Sequence, residues 1–149
     1  MRAVVQRVST ARVRVGERIT GEIGAGLLAL VSVGVDDDET DARAMAGKLT
    51  GLRIFPDDRG LMNRSLADTG GELLLVSQFT LHGDARHGRR PSFIGAARGP
   101  EARRLFDLAG AAVEATGLSV AYGEFGAEME VELVNTGPVT ILLDTKRLF

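Results

Sequence analysis

Two short polar segments are the parts of this sequence whose residue types and spacing could do chemistry. The first, Ser77-Gln78-Phe79-Thr80, follows the apolar run 73–76 and leads into a loop rich in arginine. Polar side chains at the end of a buried strand are placed to face a ligand, although a serine and a threonine can also serve only to turn the chain. If the strand continues through the segment, Ser77 and Phe79 lie on one of its faces.

The second segment, Asn135-Thr136-Gly137-Pro138-Val139-Thr140, separates two apolar stretches. A glycine before a proline between two predicted strands indicates a sharp turn. Bonds that precede proline are cis in about 5–6% of folded cases, and a cis bond here would turn the Gly137 carbonyl outward beside a rigid ring. An ordinary hairpin turn with a trans bond is the alternative, and the residues alone leave both open.

Residue types that are absent or isolated exclude several other kinds of catalytic site. The sequence contains no cysteine, which excludes disulfides, thiolate metal sites and a cysteine nucleophile. Its two histidines, His82 and His87, have no metal-binding spacing, so we expect neither a metal ion nor another cofactor. His82 is two residues from Thr80, and strand geometry would not normally orient that pair for proton transfer, which disfavours a Ser–His–Asp triad.

The charges are segregated along the chain. The formal net charge is −2, yet residues 86–104 contain six arginines against one glutamate. Guanidinium groups bind phosphates through paired hydrogen bonds, so this segment predicts a surface for a nucleic-acid backbone, with Arg89 and Arg90 as candidate contacts. A solvated face with no partner is the alternative.

The composition is that of one globular domain, which we expect to cover residues 1–149. Hydrophobic residues make up 44% of the chain and charged residues 26%. The longest nearly apolar run, Leu27–Val35, is about half the length of a membrane span. The N-terminal residues lack the apolar core of a signal peptide. We therefore expect a cytoplasmic protein with no membrane partner.

Hydrophobic periodicity predicts the elements that position the two polar segments. The predicted strands are 4–8, 13–15, 19–23, 27–33, 53–55, 72–79, 118–122, 129–134 and 139–143. One helix is predicted to begin near 36–41, and a second to begin at Pro100 and end before Gly117. The expected fold class is α/β, with a mixed, mostly antiparallel sheet that curves into a barrel-like core and carries two helices.

Both polar segments belong to a pattern that covers nearly the whole chain. Residues 77–80 match an SQFT signature and residues 135–140 match an NxGPxT signature. Further matches, in order, are residues 1–8, 21–28, 62–63 and 90–93. With these motifs the sequence resembles the D-aminoacyl-tRNA deacylase family. The segments 81–88 and 145–149 carry no match, so no site residue is drawn from them.

The resemblance implies an activity, a partner and a set of site residues. Members of the family hydrolyse the ester that joins a D-amino acid to the terminal adenosine of tRNA, and they act as homodimers. By resemblance, Gly137-Pro138 is a cis dipeptide that enters the other subunit's pocket and rejects L-aminoacyl groups, but not glycine. The implied catalytic wall is Ser77, Gln78, Phe79 and Thr80, with Ala102, Phe125 and Met129 nearby. Arg7, Asn135 and Thr140 are the implied supports of the Gly–Pro segment.

Two chemistries and two other functions remain open at this point. The residues offer no evident base, which fits a picture in which the adenosine 2′-hydroxyl helps to activate water. The backbone N–H groups around Phe79 and Thr80 would then bind the oxyanion, whereas the rival makes the Thr80 hydroxyl a covalent nucleophile. The alternative functions are a non-catalytic RNA-binding module and a general esterase or peptidase.

Overall fold

The computed structural model describes residues 1–148, and these form one mixed sheet, one small hairpin and three α-helices. The strands are β1 (Arg2–Val15), β2 (Arg18–Ile23), β3 (Gly26–Ser32), β4 (Phe55–Pro56), β5 (Met62–Arg64), β6 (Glu72–Ser77), β7 (Val120–Tyr122) and β8 (Glu130–Asp144). The helices are α1 (Glu39–Gly51), α2 (Leu66–Thr69) and α3 (Gly99–Glu114), and a 3₁₀ helix spans Phe79–His82.

The long strand β1 organises the main sheet. Its first half pairs with β3 and its second half with β2, while β8 pairs with it along most of its length, and all three pairings are antiparallel. Strand β6 lies parallel to β3, and β7 lies parallel to β6, which gives the order β2-β1-β3-β6-β7. The expected mixed, mostly antiparallel sheet is therefore confirmed.

The sheet closes almost into a barrel because β2 approaches β7. A Cβ atom on Gly21 of β2 would lie 2.4 Å from the carbonyl oxygen of Tyr122 in β7, so a side chain at this position would separate the two strands. The side chains of β3 and β6 point alternately to the two faces of the curved sheet. Leu27 and Leu73 pack toward the helices, whereas Leu28 and Leu74 pack inside the barrel.

Both long helices begin and end where the sequence predicts, within a few residues. Asp38 caps α1 by accepting hydrogen bonds from the N–H groups of Thr40 and Asp41, and Asp41 returns a bond to the backbone of Asp38. Pro100 lies in the first turn of α3. The short helix α2 was not predicted, because four residues carry no helical periodicity, although Ser65 and Asp68 form a capping box there.

Several strand predictions need correction. Residues 4–8 and 13–15 belong to one strand, β1. The predictions over 129–134 and 139–143 likewise fall in one strand, β8, which begins at Glu130 and is not interrupted by a hairpin turn. The strand predicted over 72–79 ends at Ser77, since the chain enters the 3₁₀ helix at Phe79. The strand predicted over 53–55 is displaced to Phe55–Pro56, which pairs with Met62–Arg64.

Candidate active site

A cavity of about 540 Å³ opens between the ends of β3 and β6 and the N-terminal half of α3. Its size is within the range of small-molecule sites, and most of its wall is apolar. The residues that line it are Val31, Ser32, Val33, Val76, Ser77, Gln78, Phe79, Ala97, Arg98, Gly99, Ala102, Phe106, Phe125, Gly126, Ala127, Met129 and Val131. The structure thus brings six of the residues expected at the site, Ser77, Gln78, Phe79, Ala102, Phe125 and Met129, into one wall.

The polar edge of the cavity is formed where β6 ends. The Gln78 N–H still donates to the carbonyl of Val31 at 2.8 Å, and the chain then turns into the 3₁₀ helix. Gln78 Nε2 donates to Thr80 Oγ1 at 2.5 Å, and Thr80 is not among the residues that line the cavity in the described chain. Phe79 and Thr80 begin a helix, where backbone N–H groups have no acceptor inside the helix.

Aromatic contacts fix the two sides of the cavity. Phe79 is 52% exposed and meets Phe93 edge to face, with ring centroids 5.2 Å apart. On the opposite side Phe106 of α3 contacts Phe125, with centroids 5.7 Å apart. Such pairs are worth about 0.5–1.5 kcal/mol beyond their burial, so they stabilise the shape of the opening.

The segment Gly137-Pro138 lies outside this cavity in the same chain. Gln6 is opposite Thr140 and Val8 is opposite Asn135, so four residues of β8 bulge out against the single residue Arg7 of β1. Gly137 and Pro138 are exposed, and the peptide bond between them is cis.

Two side chains support the bulge. Arg7 donates from Nε to the Thr136 carbonyl at 2.9 Å and from Nη1 to the Ile54 carbonyl at 2.6 Å. A Cβ on Gly137 would lie 2.8 Å from Arg7 Nη2, and its φ of +132° also favours glycine. The Asn135 amide spans the base of the bulge, accepting from the Val139 N–H at 2.8 Å and donating to Gln6, Val139 and Thr140.

Comparisons with known proteins identify the family of the chain. A family model described as D-Tyr-tRNA(Tyr) deacylase matches residues 4–144. The chain belongs to this deacylase family. Among its relatives, proteins named D-aminoacyl-tRNA deacylase from Roseiflexus sp. (strain RS-1) and Anaeromyxobacter dehalogenans (strain 2CP-C) are 56% and 55% identical to it. The first alignment covers 97% of this chain and 94% of the relative, and the second covers 100% of both.

Two solved structures share the fold of this deacylase family member. One, described as c-Myc DNA Unwinding Element Binding Protein, is 36% identical with a TM-score of 0.91, over 97% of this chain and 99% of the other. The other, described as a probable eukaryotic D-amino acid tRNA deacylase, is 18% identical with a TM-score of 0.81, over 95% and 97%. Because only 18% of the aligned residues are identical, the likeness to the second structure supports the fold and nothing about function.

In the arginine-rich segment 86–104, some arginine side chains form ion pairs and others do not. Arg86 pairs with Asp84 at 2.7 Å, and Arg104 pairs with Glu101 and Glu39. Within residues 1–148, the candidate contacts Arg89 and Arg90 are exposed and form no ion pair. Arg98 is also unpaired there, and it lines the cavity. Sequence reasoning did not single out Arg98, whose only signal is its position next to the predicted helix.

A serine and a histidine that the sequence did not connect also meet at the cavity. Ser32 Oγ lies 2.6 Å from His82 Nδ1, and Ser32 lines the cavity while being 2% exposed. Burial is the largest cause that lowers the pKa of His82 below its ordinary value, so the ring is neutral near pH 7. The motif matches drew no site residue from 81–88, yet His82 of this segment contacts Ser32 in the cavity wall.

Two further kinds of feature are absent from the part of the chain that the structure describes. In residues 1–148 no three side chains of the metal-binding types lie close enough together to hold an ion. None of the helices found there has the length and apolar character needed to cross a membrane.

Proposed function

We propose that this chain is an aminoacyl-tRNA editing hydrolase that cleaves the ester of D-aminoacyl-tRNA and releases tRNA and the free D-amino acid. Membership of the deacylase family and the names of relatives that span the full chain support this activity. The cavity is the observation that carries the proposal, because it brings Ser77, Gln78 and Phe79 together with Phe125 and Met129 in one wall.

We assign to the cavity wall the two roles that ester hydrolysis needs, which are positioning of the substrate and stabilisation of the oxyanion. An activated ester requires mainly positioning and stabilisation of the oxyanion that forms at its carbonyl. The N–H groups at the start of the 3₁₀ helix, on Phe79 and Thr80, are the donors that we assign to this oxyanion. The terminal adenosine 2′-hydroxyl helps to activate the attacking water, since no side chain in the described wall is placed as an evident base for it.

Selection between enantiomers is assigned to Gly137-Pro138 of a second subunit. In one chain this segment is exposed and lies outside the cavity, so it can act on a substrate only by entering the cavity of a partner. Arg7 packs against Gly137 and donates to the Thr136 carbonyl, and these contacts hold the exposed segment in a fixed position. A main-chain wall near the substrate Cα excludes an L side chain by overlap.

A homodimer follows from this assignment. The described chain leaves one edge of β8 unpaired, because β8 forms a ladder only with β1. Val134 and Leu142 on β8 are 57% and 59% exposed. A second copy that contacts this strand would cover these apolar side chains and bring the bulge to the partner's cavity, so we propose that the dimer is the active form, in the cytoplasm where tRNA is used.

Release of amino acids from charged tRNA tests the proposed function. Purified protein should release D-tyrosine from D-tyrosyl-tRNA and glycine from glycyl-tRNA, while L-tyrosyl-tRNA should react at least about 100-fold more slowly because only its side chain overlaps the barrier. The measurement is the initial rate for each of the three substrates, with spontaneous hydrolysis subtracted. Equal rates for both enantiomers, or rejection of glycyl-tRNA, would contradict the proposed barrier.

The same assay separates the alternatives. A non-catalytic RNA-binding module would bind charged tRNA and release no amino acid. A general esterase would hydrolyse a small ester as fast as D-aminoacyl-tRNA, and the exposed, unpaired arginines near the cavity would then have no role.

The unpaired arginines predict how tRNA binding depends on salt. Charge reversal of Arg89 and Arg90 together, or of Arg98 alone, should raise KM for D-tyrosyl-tRNA about tenfold and flatten its dependence on salt, because fewer counterions are released on binding. Arg86→Ala is the matched control, since Asp84 already neutralises that guanidinium. The measurement is KM at several salt concentrations. An unchanged salt slope would mean that these arginines only face solvent.

A further inference from the structure

The contact between buried Ser32 of the cavity wall and half-buried His82 behind it has no part in the chemistry proposed so far. Ser32 is the last residue of β3, and His82 is the last residue of the 3₁₀ helix, so their contact joins these two elements. The same helix begins with Phe79 and Thr80. Ser32 Oγ also lies 3.4 Å from the Phe79 carbonyl oxygen, so one hydroxyl contacts both ends of the helix.

The ring of His82 contacts Ser32 through Nδ1 and approaches Gly34 with its other nitrogen. A Cβ on Gly34 would lie 2.9 Å from His82 Nε2. With a proton on Nε2 the ring accepts from the Ser32 hydroxyl, and with a proton on Nδ1 it donates to Ser32 Oγ, so either neutral tautomer keeps the contact. The glycine at position 34 leaves the space that the ring occupies.

The charged groups around the ring act in both directions. Arg2 of β1 and the amino group of Met1 oppose a positive charge on the ring, whereas Asp37 and Asp144 favour one. Burial has the largest effect, and the result is that the pKa of His82 is lower than its ordinary value. The neutral ring is therefore the stable form near pH 7.

The helix has few other attachments to the sheet. Its start is fixed by the bond from the Gln78 N–H to the Val31 carbonyl at 2.8 Å. Near its end, Arg2 Nη1 donates to the Leu81 carbonyl at 3.2 Å. Between these two contacts, the Ser32–His82 pair joins a side chain of the helix to a side chain of β3.

We propose that His82, acting through Ser32, is a positioning residue for the hydrolysis. The pair holds the 3₁₀ helix at the distance from β3 at which the N–H groups of Phe79 and Thr80 face the ester carbonyl. This inference rests on the proposed function, because it assigns a role within the same cavity. Ser32 is not assigned as a nucleophile, since it is 2% exposed.

Four variants test the role. Ser32→Ala and His82→Leu should each lower kcat for D-tyrosyl-tRNA about tenfold with KM changed less than about twofold, because a displaced oxyanion site weakens only the transition state. His82→Asn should restore most of kcat, since its amide places a polar atom near the position of Nδ1. His87→Leu is the matched control and should leave both constants unchanged. The double variant Ser32→Ala with His82→Leu should lose no more than either single variant.

The dependence of kcat on pH gives a readout that a purely structural role would not change. Protonation of His82 adds a positive charge that burial, Arg2 and the amino group of Met1 oppose, so the ring should move out of its place and kcat of the wild type should fall at pH values below the ordinary pKa of histidine. The His82→Asn variant should lack this fall, because its amide does not titrate.

Three results would overturn the inference. One is a loss of thermal stability in Ser32→Ala and His82→Leu with kcat of the folded protein unchanged. Another is a fall in kcat on the acid side that persists in His82→Asn. The third is a loss above about 1000-fold with an acyl group trapped on Ser32, which would make this serine the nucleophile. Failure of the wild type to release D-tyrosine would instead overturn the proposed function, so the two failures are distinguishable.

Discussion

Charged tRNA that ends in 2′-deoxyadenosine should be hydrolysed about 100-fold more slowly than the same tRNA ending in adenosine. The described cavity wall contains Ser77, Gln78 and Arg98 as polar side chains besides the buried Ser32, and none of them is a base near neutral pH. The substrate must then supply the group that activates water. The measurement is the single-turnover rate with saturating protein, which separates the chemical step from tRNA binding.

The Thr80→Ala variant is the counterpart of that experiment. Thr80 Oγ1 accepts from Gln78, and the described cavity lining does not include Thr80, so its hydroxyl is not directed at a substrate. Activity should remain within about tenfold of the wild type, which corresponds to about 1.4 kcal/mol in the barrier. Thr80→Ser, which keeps a hydroxyl, is the control. Full activity on the deoxy substrate together with an inactive Thr80→Ala would support the covalent route.

Two variants with different defects should restore wild-type sites when their subunits are mixed. Gly137→Val should displace the projecting segment, because its Cβ would lie 2.8 Å from Arg7 Nη2. Ala102→Phe should fill the cavity, where Ala102 is 4% exposed. Each homodimer should be at least about 100-fold less selective or less active, whereas the mixture should regain about a quarter of the wild-type sites, one in each mixed dimer.

Subunit exchange needs its own control. The two variants carry different tags, and the fraction of mixed dimers is measured before the assay. Mixed dimers without recovered activity would show that each subunit completes its own site. A protein that remains monomeric at concentrations where it is fully active would contradict the dimer as well.

Much of the sheet could be predicted because the hydrophobic pattern of a strand indicates which of its faces are buried. The continuous apolar run of β3 indicates burial on both faces, and Leu27 and Leu28 indeed pack in two different clusters. Asp38 signals the start of α1 by a local rule, since a cap depends only on neighbouring backbone groups. Such signals are contained in a few consecutive residues.

The features that the sequence did not reveal depend on distant residues or on very short segments. The two halves of β8 continue as one strand because Asn135 bonds to Gln6 and Val139, and Gln6 is 129 residues away. A four-residue 3₁₀ helix has no periodicity that a pattern could detect. Ser32 and His82 are 50 residues apart, so only the folded chain shows that they meet.

The site residues also fall into two groups, those that a local motif identifies and those that only the folded chain identifies. Ser77, Gln78 and Phe79 line one cavity with Ala102, Phe125 and Met129, whereas Thr80 is not in the described lining. Arg98 could not be singled out, because one arginine among six looks like the others until the loop is folded. The proposed place of Gly137-Pro138 in the cavity of a partner subunit is a relation between two chains, which no single sequence pattern describes.

The pairing of β1 with β8 affects how the protein is made in the cell. Arg2 is opposite Asp144, so the hydrogen-bond ladder between β1 and β8 can form only after β8 has been synthesised. Until then Val5 and Val13, which are fully buried in the finished molecule, remain exposed to water on the nascent chain. Pairing across such a long sequence separation is slow and leaves apolar segments open to chaperones or to aggregation.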